Sequence, residues 1–123
     1  MMFNLKLLII SAIVFVFIDS AYLYVIKNYF ANQIKIVQGS PMKLNIIATL
    51  FCYVILIFGI NYFIIQPRRS VQDAFLLGLL IYGVFETTNM ALFTKWAWLT
   101  VLIDTLWGGI LFAVTTSIVK LIK

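Results

Sequence analysis

LNIIATLFCYVILIFGINYFII, residues 44–65, carries no charge and is apolar on every side of a helix. A helix that crosses a bilayer needs about 20 mostly apolar residues at 1.5 Å each. A barrel strand would alternate apolar and polar residues over roughly ten positions. This stretch does not alternate, so it predicts a transmembrane helix. Three more segments qualify on either side of it, residues 5–26, 71–93 and 98–119. The expectation is all-α: one four-pass membrane domain over residues 1–123, folded as a four-helix transmembrane bundle.

The composition agrees. Of 123 residues, 64% are hydrophobic and 11% charged, where a soluble domain carries roughly a quarter charged. A mean hydropathy of +1.11 excludes an ordinary soluble domain and a disordered chain. With no histidine and one cysteine, His/Cys zinc sites, Ser-His-Asp and Cys-His catalysis and internal disulfides are excluded. No metal site and no cofactor are expected.

The connections between spans carry the bases. Gln66–Ser70 (QPRRS) reads as a tight hairpin, with Pro67 biasing its predecessor away from helix and Arg68 and Arg69 in the headgroups. Residues 94–97 form an equally short link, with Lys95, Trp96 and Trp98 as an interfacial belt. Short links make helices 2 and 3, then 3 and 4, antiparallel neighbours. Residues 27–43 read either as a short amphipathic helix lying in the interface or as a plain loop ending at Gly39-Ser40-Pro41, and the loop is the preferred reading. Asp19 stands where a signal-peptide cleavage motif would be, which argues against removal of the first span. Lys6, Arg68, Arg69, Lys120 and Lys123 fall on one side and Lys27, Lys35, Lys43 and Lys95 on the other. By the positive-inside rule this narrow excess puts both termini in the cytoplasm. The net charge of +5 comes from bases at span ends that meet lipid phosphates, so no nucleic-acid partner is expected.

Four acids exist: Asp19, Asp73, Glu86 and Asp104. Asp73 opens the third span, where it caps the helix or complements its dipole. The other three lie inside spans. Asp19 is seven residues before the end of span 1, Glu86 seven before the end of span 3, and Asp104 six after the start of span 4. Alternate helices run in opposite directions, so all three fall about 10 Å below the same membrane face. An ionised acid at mid-span costs roughly 2.5–3.5 kcal/mol on insertion scales, so all three are expected to face the bundle interior. Tyr82, Glu86 and Asn89 form one stripe of helix 3, and Asp104, Trp107, Gly108 and Thr115 recur on one face of helix 4. Tyr22 lies one turn after Asp19, and helix 2 offers Thr49, Cys52 and Tyr53 at similar depth. Gly108 and Gly109 admit a neighbouring helix or a ligand closely.

No base lies at that depth. The acids are then balanced by shared protons, a bound cation, a cationic or hydroxyl-rich ligand, or Lys27 and Lys95 snorkelling from the rim. A bland account stands beside these: buried polar residues also serve as helix glue. Three acids at one depth favour a pocket, with Asp19, Tyr22, Tyr82, Glu86, Asn89, Asp104 and Trp107 as ligand- or ion-binding candidates and no catalytic residue assigned. Trp107 alone reads as packing and Cys52 as a small buried hydrophobe. Thr115, Thr116 and Ser117 read as bonding to their own helix carbonyls.

These motifs resemble a family of small four-pass membrane proteins of unknown function, found mainly in bacteria. The resemblance spans nearly the whole chain. It rests on Asp19-Ser20-Ala21-Tyr22-Leu23, on Tyr53, Gly59, Phe63 and Pro67, and on the closing half: Gly78, Tyr82, Glu86-Thr87-Thr88-Asn89, Ala91-Leu92, Trp96 and Asp104-Thr105-Leu106-Trp107-Gly108. The family usually has tryptophan at Tyr22 and aspartate at Glu86, so the chemical types persist. The resemblance implies the fold and the importance of Asp19, Asn89, Asp104 and Trp107, and it supplies no reaction.

Three functions compete. Binding or transport of a proton, cation or small cationic or polar ligand ranks first; four helices enclose little space, so a carrier calls for a homodimer. A membrane-embedded acid/base enzyme, isomerase-like, on a lipid or isoprenoid comes next, with Glu86 and Asp104 as the pair. A non-catalytic scaffold is the third. A water path past the acids would favour the carrier, an apolar pocket opening sideways to lipid the enzyme, and carboxyls bonded together with no cavity the scaffold.

Overall fold

In a computed structural model, which describes residues 3–122, the chain forms four helices. They are α1 (Leu5–Gln38), α2 (Ile46–Ile60), which continues through a π-helical turn (Asn61–Ile65), α3 (Val71–Leu92) and α4 (Trp98–Ile122). Each span, counting α2 with its π turn, is long and apolar enough to cross a membrane. The all-α bundle expected from the sequence is the one observed. Lys123, counted above among the bases, and Met1 and Met2 of the first segment lie outside the described residues.

α1 departs from expectation. Residues 27–38 continue the helix instead of forming a loop, and its 34 residues extend about 51 Å, well beyond the roughly 30 Å hydrocarbon layer. The segment contains neither glycine nor proline, so nothing in it stops a helix. Asn4 caps the start, accepting from the Lys6 and Leu7 amides. Gly39 ends it in the left-handed conformation (φ 76°), its N–H on the Lys35 carbonyl, as a C-terminal glycine does. Tertiary bonds hold the extension: Gln33, buried, donates to the Lys95 carbonyl at 3.1 Å and accepts from the Ala97 amide at 3.2 Å and the Thr100 hydroxyl at 2.8 Å. It therefore satisfies N–H and hydroxyl groups at the start of α4 that the helix cannot satisfy itself.

The helices pack in the order α3, α4, α1, α2. The α3–α4 interface is the most extensive, α1 packs on α4, and α2 rests on α1. Glycines bring α3 and α4 together: a Cβ on Gly78 would stand 2.1 Å from the Gly108 carbonyl oxygen, and one on Gly108 2.3 Å from the Tyr82 ring. Gly108 and Gly109 thus admit a helix, α3, whose Tyr82 and Phe75 seat on them. α1 and α4 run antiparallel in a fixed register, in which Phe15 meets Phe112 edge-on at 5.6 Å and Asp19 meets Trp107.

α2 and α3 follow one another across a short link but have almost no common interface, which corrects the expectation that they are packed neighbours. α2 is tied down at its far end, where the π turn buries Asn61, Ile64 and Ile65 against α1 and α4. There Asn61 donates to Ser11 at 3.0 Å and accepts from Gln66 at 3.1 Å, and Gln66 accepts from the Asn4 amide at 2.8 Å. Gln66 is itself helical (φ −63°, ψ −45°), so Pro67 does not turn its predecessor out of the helix; the π turn and these bonds outweigh the local bias. Away from this anchor α2 leans from the bundle and exposes Phe51, Val54, Ile55 and Phe58. A cleft opens between its first half and α3.

Candidate functional site

The three intramembrane acids converge. Asp19 and Asp104 are each 7% exposed and Glu86 is fully buried. Asp19 accepts from Trp107 Nε1 at 2.9 Å and from the Tyr53 hydroxyl at 2.5 Å. Asp104 accepts from the Tyr22 hydroxyl at 3.3 Å. Tyr22 and Trp107 stack face to face, 4.3 Å between centroids and 4° between planes. The arrangement is reciprocal: Asp-x-x-aromatic occurs on both α1 and α4, and in an antiparallel register each acid takes its donor from the other helix's aromatic ring.

Glu86 sits behind Asp104. Its Oε1 accepts from Trp96 Nε1 at 2.8 Å, and its Oε2 is buried without a partner. Among the described residues no base pairs with the three acids; the one salt bridge there is Arg69–Asp73 at 2.9 Å. Lys27 lies over the Tyr24 ring instead. Nor do any three His, Cys, Asp or Glu side chains of the described residues stand close enough together to hold one metal ion. Glutamine at position 86 keeps an acceptor for Trp96 and removes a buried carboxyl that has no base beside it. Glu86→Gln is therefore expected to fold as well as the parent, whereas Trp96→Phe, which strips a buried carboxyl of its donor, loses about 1–3 kcal/mol; thermal unfolding in detergent compares the two.

Two cavities open from this cluster into the α2–α3 cleft. One, about 410 Å³, is lined by Asp19, Thr49, Cys52, Tyr53, Leu56 and Tyr82 among others. The second, about 230 Å³, is lined by Cys52, Leu56, Ile81, Tyr82, Phe85 and Asp104. Their walls are mostly aliphatic and aromatic, and two carboxyls form their polar floor. Cys52 is exposed to this space, which corrects its reading as a buried hydrophobe, because α2 does not close against α3.

The candidates divide accordingly. Asp19, Asp104 and Tyr82 line the cavities, Tyr22 and Trp107 brace the two acids, and Glu86 is sealed beneath. Asn89 is half-buried and its side chain joins neither the cluster nor the cavities, since it lies nearly a full turn beyond Glu86. Tyr53 and Trp96 supply donors that the candidate set omits. Depth pointed to Tyr53; Trp96, expected in the interfacial belt, is 6% exposed and folds back onto Glu86, while Trp98 is exposed as a belt residue would be. Ser117 bonds its own helix at Ala113, but the buried Thr115 and Thr116 hydroxyls do not. Asp73 stands in the first turn of α3, whose cap is Ser70.

A family model described as "Predicted membrane protein (DUF2177)" matches residues 4–121, which bears out the resemblance drawn from the motifs. No curated protein and no solved structure matches the chain.

Proposed function

We propose that this chain, which belongs to the DUF2177 family of predicted membrane proteins, binds an amphiphile with a cationic or hydroxyl-bearing head that enters sideways from the bilayer. The observation that carries this reading is the apolar cleft between α2 and α3 with Asp19 and Asp104 on its floor. Apolar walls suit a hydrocarbon tail, and acceptors without a counter-ion suit a donor or cation. Tyr82 lies between the two carboxyls on the cavity wall, and Tyr53 and Trp107 fix Asp19 by donating to it.

The different surroundings of Glu86 and Asp104 favour one further reading of the same site. Asp104 lines the cleft, within reach of a bound head, while Glu86 is sealed in the bundle with one oxygen unpartnered. That is the arrangement an acid/base enzyme on a lipid or isoprenoid would use. Counted in the sequence, five bases with Lys123 against four on the other side favour a cytoplasmic location for the termini.

The test is a thermal-unfolding screen in a neutral maltoside detergent with dodecyltrimethylammonium, dodecanol and dodecyl sulfate as probes. The cationic and hydroxyl heads are expected to raise the midpoint relative to the sulfate, and Asp19→Asn with Asp104→Asn to remove the cationic advantage. Equal responses to all three heads would refute the reading.

A further inference from the structure

The opposite end of the bundle carries a second polar feature, remote from the carboxyls. The π turn closes in a two-bond helix ending: the Arg69 amide reaches the Ile64 carbonyl at 2.7 Å and the Arg68 amide the Ile65 carbonyl at 3.1 Å. Between them Arg68 adopts φ 61°, the one non-glycine residue with positive φ in the chain's described part. Glycine is usual there because a side chain strains the left-handed backbone. An arginine at a position that disfavours it points to a use for its guanidinium.

Its neighbours suggest which. Asp73 is the acid at this end and is engaged by Arg69, so Lys6, Arg68 and Lys120 have no carboxylate partner among the described residues. Arg68 and Lys120 line a small cavity of about 30 Å³ with Ile64, Ile65 and Thr116. That is room for one oxygen-sized group. Thr116, 1% exposed, lines it with a hydroxyl that has no partner. A wider basin of about 340 Å³ adjoins, lined by Asn4, Lys6, Leu7 and Arg68, so Arg68 stands in the wall of both spaces.

We propose that this basin binds a phosphate group, held by Lys6, Arg68 and Lys120, with one phosphoryl oxygen accepting from the buried Thr116 hydroxyl. Cations that converge on an anion at a bilayer surface recognise phosphate-bearing headgroups in this way. A headgroup and a free phosphate present the same chemistry, and the experiment separates them.

Purified protein in neutral maltoside detergent is unfolded thermally with dioleoylphosphatidylglycerol, with dioleoylphosphatidylcholine, and with inorganic phosphate. The anionic lipid is expected to raise the midpoint by several degrees and the zwitterionic lipid by much less. A matching rise with inorganic phosphate assigns recognition to the phosphate alone; a rise with the anionic lipid only assigns it to the intact headgroup. Arg68→Gly is the decisive variant, because it relieves the backbone: its lipid-free midpoint should equal or exceed that of the parent while at least half of the anionic-lipid shift is lost. Thr116→Val, close in volume, should likewise keep the lipid-free midpoint and lose part of the shift. Equal shifts with both lipids, or full retention of the anionic-lipid shift in both variants, would overturn the site.

Discussion

Gly78→Ala is expected to destabilise the bundle by about 2–3 kcal/mol, at the upper end of what overpacking costs. The added methyl would stand 2.1 Å from the Gly108 carbonyl oxygen and 2.8 Å from the Gly108 carbonyl carbon. Both are backbone atoms within α4 that cannot rotate away. The helices must part, and Tyr82, which sits on Gly108, moves with them. Gly59→Ala is the matched control, since a Cβ there meets nothing within 4 Å. It should be neutral or stabilise by about 0.5–1 kcal/mol through helix propensity. Unfolding of both variants in a common detergent or denaturant series measures the contrast, and equal midpoints would remove the glycine contact from the account.

The second large effect is expected at Trp107. Trp107→Ala takes away the ring stacked on Tyr22 and one of the two donors to Asp19, at a cost of about 3 kcal/mol for a packed aromatic. Tyr22→Phe keeps the stack but takes from Asp104 its 3.3 Å donor; because that bond is long and Asp104 opens on a cavity, the cost should be about 1 kcal/mol, the low end for an orphaned acceptor. If the reciprocal brace is one unit, Tyr22→Ala and Trp107→Ala together cost less than the sum of the two alone, with a coupling of about 1 kcal/mol. Strict additivity would mean that the two rings stack without supporting one another.

Much of this site was legible from helix arithmetic. Once residues 44–65 are a span, alternating direction puts Asp19, Glu86 and Asp104 at one depth, and the cost of a lipid-facing acid turns them inward. The same arithmetic places both Asp-x-x-aromatic motifs side by side, although their reciprocity depends on α1 and α4 being neighbours, which chain order does not state. What escaped were properties of the assembled bundle. α2 is apolar all round, so no periodicity tells which side packs or that it leans away from α3. Residues 27–38 have enough polar side chains to read as a loop, but they hold no helix breaker, and the partners of Tyr29 and Gln33 at the start of α4 fix them as helix. Trp96 has the composition of an interfacial residue, and its burial follows from a carboxylate that needs a donor. Ser11 and Asn61 lie fifty positions apart and meet because the π turn swings α2 back onto α1.

The central claim is that a cleft between α2 and α3 leads from the bilayer to the intramembrane carboxyls. Cys52, the single cysteine of the chain, lines both cavities there and reports on the cleft directly. The measurement is its alkylation rate by a small uncharged maleimide, with and without dodecyltrimethylammonium, in the parent and in Asp19→Asn/Asp104→Asn. Prompt alkylation that the cationic amphiphile slows at least fivefold in the parent, and fails to slow in the double variant, is the predicted result. A Cys52 that resists alkylation until the protein unfolds, or protection that is identical in the two proteins, would contradict it.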